Sequence, residues 1–314
     1  MPAGSHPFLR IASGVQRALD QGAPIVALES SVLAQGLPIP QNRYAAERMV
    51  SAVERGGAVA AITAVVRGFP AIGLKTDDLE RFLARDGVHK VSARDIPAAV
   101  AKGLDGATTV AASLSLASIV GIDVFATGGI GGVHRGAPFD ESADLAELSR
   151  TPMIVVCAGA KSILDLPATW ERLESLGVPV VGYQTDELPG FFSAETGIRL
   201  EARVDDPGDI VAMYLAHRSL GRPQAMLVVQ APPASHSLDR RAVEAAVDQA
   251  LLEAVAEGVT GARVTPYLLA AVSRLTSGSS LNANLELLER NASLAGIIAT
   301  ICSRRRQGFS PTRY

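Results

Sequence analysis

Cysteine is scarce in this chain: Cys157 and Cys302 are the two thiols among 314 residues, far apart in sequence. There is no CxxC pair and no Cys/His cluster, so a zinc site is not expected. Cys157 lies in an apolar run, where a buried, reduced thiol is the expected state, and this points to a reducing compartment. Aromatic residues make up 4% of the chain against 48% hydrophobic residues, so the core must be Ala, Val, Leu and Ile packed between helices and a sheet. Formal charge is near balance at -3 and lacks the basic face that a nucleic-acid partner requires. The opening MPAGSHPFLRIASGVQRAL has no long apolar core behind a basic start, so no secretory signal is expected. The most apolar long window, 107–126, is broken by Gly121, Asp123 and several hydroxyl residues, which suits a strand plus a helix better than a membrane span. The expectation is a soluble, cytoplasmic protein with no nucleic-acid and no membrane partner.

What is present is a repeated order of strand and helix. Apolar runs at 24–28, 58–66, 124–126, 153–157, 178–183 and 225–230 read as strands. Between and after them, helices are expected over 11–20, 43–55, 76–85, 95–102, 110–120, 163–176, 207–220, 239–257, 265–274 and 284–303, with Thr76 as an N-cap and Pro97 in a first turn. Residues 35–42 read as a loop, and 190–203 as an irregular excursion suited to a lid or a subunit contact. The alternation predicts a doubly wound α/β sheet over 1–303. The remaining 304–314, RRRQGFSPTRY, reads as a basic, solvated tail.

The chemistry-bearing groups gather between Thr108 and Lys161. Thr127-Gly128-Gly129-Ile130-Gly131-Gly132 follows a buried strand, and four glycines in six positions let backbone N–H groups turn toward one point as an anion cradle. His134 and Arg135 add positive charge beside it. Asp140, Ser142 and Asp144 alternate, so in an extended segment they share a face suited to a cation or to sugar hydroxyls. Lys161 follows a second apolar strand and small residues, a candidate amine nucleophile. Glu29 ends the strand PIVAL, where partial desolvation suits a general acid or base. The Val110 helix would point free N–H groups at a phosphate. Each group also has a plainer reading: a tight turn, a helix N-cap, a surface lysine, a capping acid. Together, cradle, acids and amine describe a pocket for a phosphorylated sugar.

The segments VALESSVLAQGLPIPQN, GATTVAASLSLA, VFATGGIGGVHRGA, DESADLAEL, VVCAGAKSILDLPAT, GVPVVGYQTDELPGFF and SLNANLELLERNASLA resemble pseudouridine-5′-phosphate glycosidase, in order and over nearly the whole chain. The resemblance implies a single-domain α/β/α sandwich with a mostly parallel sheet and a helical C-terminal part. It also implies a homotrimer and a divalent metal cofactor, commonly Mn2+. Carried onto matching positions, Lys161 is the nucleophile, Glu29 the proton donor and Asp140 the metal ligand. Lys90, Thr109, Val110, Thr127, His134, Ser142, Ala143 and Asp144 would hold ribose 5-phosphate, and Asn284 would face the base.

The implied reaction is a reversible cleavage of the C–C bond between ribose 5-phosphate and uracil. Lys161 must be neutral to attack, which calls for apolar walls or nearby cations. Gln35-Gly36, a shortened loop after Arg135-Gly136-Ala137, and Ala231-Pro232 depart from the family pattern and bear on the second substrate. The alternative is a C-glycosynthase joining ribose 5-phosphate to an aromatic acceptor, as the C-ribosylating member of alnumycin biosynthesis does. A third reading, a non-catalytic phosphosugar binder, needs neither Lys161 nor Glu29.

Overall fold

Alternate residues of the strand Ile25–Leu28 face opposite ways, and both faces are apolar. Ile25 and Ala27 join one core, Val26 and Leu28 the other. A strand buried on both faces belongs in the middle of three layers. The computed structural model, which describes residues 8–136 and 139–308, has that architecture.

In chain order the strands are β1 (Arg10–Ile11), β2 (Ile25–Leu28), β3 (Val59–Val66), β4 (Phe69–Ile72), β5 (Val88–Val91), β6 (Asp105–Thr108), β7 (Val124–Ala126), β8 (Val133–His134), β9 (Ile154–Cys157), β10 (Leu164–Asp165), β11 (Val180–Tyr183), β12 (Ala202–Val204) and β13 (Met226–Val229). The main sheet runs β1-β4-β3-β2-β7-β9-β13-β11-β12, with β6 also on β3 and β5 on β6. From β3 to β12 along this path every pairing is parallel, while β4 and β6 run antiparallel to β3. β8 and β10 form a separate antiparallel pair.

The helices are α1 (Ser13–Asp20), α2 (Gln41–Arg55), α3 (Thr76–Ala84), α4 (Ile96–Ala101), α5 (Val110–Ile119), α6 (Ala143–Leu148), α7 (Leu166–Ser175), α8 (Pro207–Ser219), α9 (Arg240–Ala256), α10 (Val264–Leu275) and α11 (Ser279–Gly308). Residues of α1, α5, α7, α9 and α10 close one face of the sheet, and those of α2, α8 and α11 the other. The expected sandwich with a mostly parallel sheet is therefore observed. Among the described residues no helix is long and apolar enough to cross a membrane.

Helix α11 crosses α2 closely enough that a Cβ on Gly296 would meet the Val53 carbonyl oxygen at 2.7 Å. Side-chain ion pairs from Arg48 to Glu286 and Glu289 flank that crossing.

Several local expectations change. The helix foreseen from Ile163 starts only at Leu166, because Leu164 and Asp165 pair with β8 and the Asp165 side chain caps the helix through Ala168 N–H. Lys75, not Thr76, occupies the N-cap of α3. The loop expected at 35–42 begins inside a short π-helix, Val32–Gly36, and α2 starts two residues early at Gln41. Residues 190–203 are no loose lid: Phe191 and Phe192 are buried, and the Glu187 carboxylate accepts from the Thr196 and Gly197 N–H groups. The expected solvated tail begins as helix, since α11 continues to Gly308 and Arg306 pairs with Asp123. Burial raises the Asp123 carboxyl above its usual range, and the Arg306 charge opposes that rise. Residues 309–314 of that segment lie outside the described residues, as do Ala137 and Pro138 of the shortened loop.

Candidate active site

From the carboxyl end of β2 the chain crosses to β3 on one side, whereas from β7 it goes to β9 on the other. Open parallel sheets form their ligand crevice where the direction reverses. Glu29 follows β2, Thr127 follows β7, and Lys161 lies four residues beyond β9. A cavity of about 760 Å³ opens there. Glu29, Lys90, Thr109, Val110, Thr127, His134, Asp140, Ser142, Ala143, Asp144, Lys161 and Asn284 all line it.

Lys161 is carried on an extension of the sheet. Ile130 N–H donates to the Gly159 carbonyl at 3.0 Å and Lys161 N–H to the Ile130 carbonyl at 3.1 Å, zipping the glycine loop to the segment after β9. Gly159 has a φ of +83°, and a Cβ there would also meet the Pro189 carbonyl at 2.5 Å, so only glycine fits. The Lys161 amine has no hydrogen-bond or ion-pair partner among the described residues, which leaves it available to a ligand.

The glycine loop is not the anion cradle expected. None of Gly128, Gly129, Gly131 and Gly132 has a positive φ. Their smallness serves close packing: a Cβ at Gly129 would strike Phe191 at 2.7 Å, and one at Gly132 would strike Thr169 Oγ1 at 2.3 Å. The anion that the loop does bind is the protein's own. Gly131 N–H donates to Asp144 Oδ2 at 2.8 Å, and Ala111 N–H donates to Oδ1 of the same carboxylate at 2.9 Å.

That geometry also overturns the extended Asp140-Ser142-Asp144 face. Ser142 is the N-cap of α6, its side chain accepting from Asp144 N–H, so the alternation ends in a helical turn. Asp144 is buried with both oxygens turned to backbone amides, tying α5 to the glycine loop. Asp140 alone keeps a carboxylate exposed and without a side-chain partner among the described residues.

The start of α5 shows why Val110 is available. The Thr109 side chain accepts from Ala112 N–H, Asp144 takes Ala111 N–H, and Val110 N–H has no partner among the described residues. An unpaired amide at the positive end of a ten-residue helix is a ready anion donor. Lys90, on β5, faces the same cavity. Its pKa is lowered, first by the loss of hydration between the cavity walls and then by the Lys161 charge, while Asp144 and Glu29 pull it back up.

Glu29 is 3% exposed, and both its oxygens are held by hydroxyls. Thr127 Oγ1 donates to Oε1 at 2.5 Å and Ser31 Oγ donates to Oε2. Asn284 is 6% exposed, lines the cavity, and has no side-chain partner among the described residues. Arg135 departs from expectation: its guanidinium donates to the Leu164 and Ser162 carbonyls and pairs with Glu244, so its charge is spent away from the cavity.

Sequence reading missed Ser31 and Asn291. Asn291, fully buried on α11, donates to the Thr127 carbonyl at 2.8 Å and the Gly128 carbonyl at 3.3 Å, while Gln230 donates to its Oδ1 at 2.8 Å. The one available signal was an asparagine inside an otherwise apolar helical stripe. Of the three departures noted in sequence, Gln35 lines the cavity, with its amide donating to the Val88 carbonyl at 3.3 Å.

Known proteins resemble this chain over most of its length. Residues 14–301 match the family described as Indigoidine synthase A like protein. The chain is 64% identical over 290 residues to a pseudouridine-5′-phosphate glycosidase of Gemmatimonas aurantiaca, covering 92% of this chain and 95% of that protein. It is 52% identical over 293 residues to the enzyme of the same name from Herpetosiphon aurantiacus, covering 93% and 97%. Among solved structures, the prealnumycin C-glycosynthase AlnA in complex with ribulose 5-phosphate is 37% identical, with a TM-score of 0.89 over 97% of this chain and 100% of that one. An indigoidine synthase A-like protein from Thermotoga maritima is 34% identical, with a TM-score of 0.88 over 96% and 98%.

Proposed function

The chain belongs to the pseudouridine-5′-phosphate glycosidase family, an enzyme family of C–C bond chemistry on ribose 5-phosphate and pseudouridine-like substrates, and from that premise we propose a specific reaction and residue roles. The enzyme reversibly cleaves pseudouridine 5′-phosphate to uracil and ribose 5-phosphate. The observation that carries this reading is one cavity holding an unpartnered lysine amine, a buried carboxyl clasped by hydroxyls, and a free helix N-terminal amide.

A carbon-linked base has no heteroatom at the bond to be broken, so direct expulsion is difficult. Once it has given up its proton, the Lys161 amine attacks C1′ while a proton originating at Glu29 reaches the ring oxygen, and the ribose ring opens. The C–C bond then breaks as the base carbon takes a proton, leaving a lysine imine that water hydrolyses. Val110 N–H and Lys90 hold the phosphate, with Thr109, Thr127, His134, Ser142, Ala143 and Asp144 shaping the sugar's surroundings. Asn284 meets the polar edge of the base.

No group of three His, Cys, Asp or Glu among the described residues could hold a metal ion. A hard cation that keeps most of its waters needs only one carboxylate and a substrate phosphate, and the free Asp140 carboxylate fits that kind of site. Such an ion, Mn2+ by family resemblance, would neutralise phosphate charge when bound. A homotrimer is part of the same proposal, as is a cytoplasmic location.

A second reading keeps the sugar half and changes the acceptor to an aromatic carbon nucleophile. The apolar cavity wall of Phe191, Val264, Pro266 and Leu269 favours it. One experiment separates the two: incubation of the enzyme with Mn2+, ribose 5-phosphate and uracil, followed by mass-resolved chromatography. Pseudouridine 5′-phosphate that disappears in Lys161→Ala supports the first reading. A borohydride-trapped lysine adduct with ribose 5-phosphate, but no product with uracil, supports the second.

A further inference from the structure

Each Glu29 oxygen already meets a hydroxyl through which a proton could pass. As a carboxylate it accepts from Thr127 at Oε1 and from Ser31 at Oε2, so both oxygens are occupied by hydroxyl donors. A protonated carboxyl carries one O–H of its own, and a hydroxyl has only one hydrogen to donate. When Glu29 is protonated and turns its O–H toward one of these hydroxyls, that contact reverses, with the carboxyl donating and the hydroxyl accepting. The hydroxyl that reverses has its own hydrogen released to point elsewhere.

The surroundings decide which one it is. Thr127 is 1% exposed and Ser31 is 8% exposed, and both line the cavity. Among the described residues neither hydroxyl has any partner besides Glu29, so the released hydrogen is free to turn to a ligand. Thr127 is also held by its backbone: its N–H donates to the Val156 carbonyl at 3.0 Å and its carbonyl accepts from Asn291. Ser31 stands at the start of the Val32–Gly36 turn and is the more exposed of the two.

Resting on the proposed reaction, we infer that Ser31 is a catalytic residue that relays the proton between Glu29 and the sugar ring oxygen. The step balances. The Ser31 hydroxyl proton passes to the ring oxygen as the C1′–O bond breaks and its electron pair goes to that oxygen. The Glu29 proton passes to Ser31 Oγ at the same time, and the Lys161 nitrogen forms its bond to C1′. Serine ends neutral and Glu29 ends as a carboxylate accepting from both hydroxyls. In the synthetic direction the same pair moves the protons back.

The test is the single-turnover rate at which the ring-opened lysine adduct, still bearing the base, forms from pseudouridine 5′-phosphate, read by rapid quench and intact-protein mass in H2O/D2O mixtures for wild type, Ser31→Ala and Ser31→Thr. Thermal melts of all three establish folding. With a relay, two protons move together and the wild-type rate curves with deuterium content. Ser31→Ala slows the step at least tenfold, leaves KM within twofold and gives a linear dependence, while Ser31→Thr restores most of the rate and the curvature. A linear wild-type dependence overturns the relay, even if Ser31→Ala fails to fold. An unchanged rate in Ser31→Ala overturns it too, as does equal loss in Ser31→Thr with wild-type curvature retained. A wild type that forms no adduct at all sinks the proposed reaction itself, and the relay with it.

Discussion

Lys161 bears on Lys90 through its charge: the two amines share one cavity, and the repulsion adds to the lost hydration that already lowers the Lys90 pKa. The sign of the consequence is fixed. As pH rises through that lowered pKa, Lys90 becomes neutral before an ordinary lysine would, and a phosphate ligand loses a charge partner. Ribose 5-phosphate affinity should therefore fall with rising pH below the usual lysine range. Calorimetric titration should show it, with affinity in Lys90→Arg holding to higher pH because a guanidinium stays charged. In Lys161→Ala, the Lys90 limit should move upward, since one opposing charge has gone.

Lys161→Ala should abolish turnover while leaving phosphosugar binding in place, because the proposed phosphate contacts come from Val110 N–H and Lys90. Rate assays paired with ribose 5-phosphate titration check this. Turnover above about a thousandth of wild type would remove the covalent mechanism.

Asp144→Ala should cost stability as well as function. It strips two charge-assisted hydrogen bonds and leaves the Ala111 and Gly131 N–H groups unpaired, a loss of about 3 kcal/mol. Denaturant unfolding measures it. Asp144→Asn keeps one acceptor oxygen and should fall roughly midway.

Asn291→Ala removes the donor to the Thr127 and Gly128 carbonyls and the acceptor for Gln230, at a cost of about 2 kcal/mol. Because Thr127 clasps Glu29, the rate should fall too, with KM less affected. Steady-state kinetics at a temperature well below the variant's melting point separates the two effects.

Asp140→Asn should weaken Mn2+ binding by about tenfold or more, since a hard cation held by one carboxylate loses its charged ligand. Paramagnetic resonance of free Mn2+, with and without ribose 5-phosphate, reads the binding apart from activity. An unchanged Mn2+ affinity would remove Asp140 from the metal role.

Much of this protein was legible in sequence because its signals are local. A short continuous apolar run marks a strand buried on both faces, and PIVAL and MIVVC are each such a run. Glu29, Lys161 and Val110 were legible because each sits after such a strand or at a helix start, whereas Lys90 and Asn284, within β5 and α11, were reached through the family resemblance. All twelve candidate site residues line one cavity.

What the sequence could not determine is which partner each polar group would take. A glycine run is compatible with a cradle for a ligand or with close packing, and only the approach of Phe191, Thr169 and Asp144 decides for packing. Asp144 looked like a ligand-facing acid until the tertiary structure turned both its oxygens to the backbone of α5 and the loop. Ser31 and Thr127, 96 residues apart, meet on one carboxyl because β2 and β7 are neighbours in the sheet. Helix and strand periodicity is written in neighbouring residues, so the chain alone determined its layers. The pairing of buried polar groups depends on distances across the fold, so only the folded chain decided which groups remain free for chemistry.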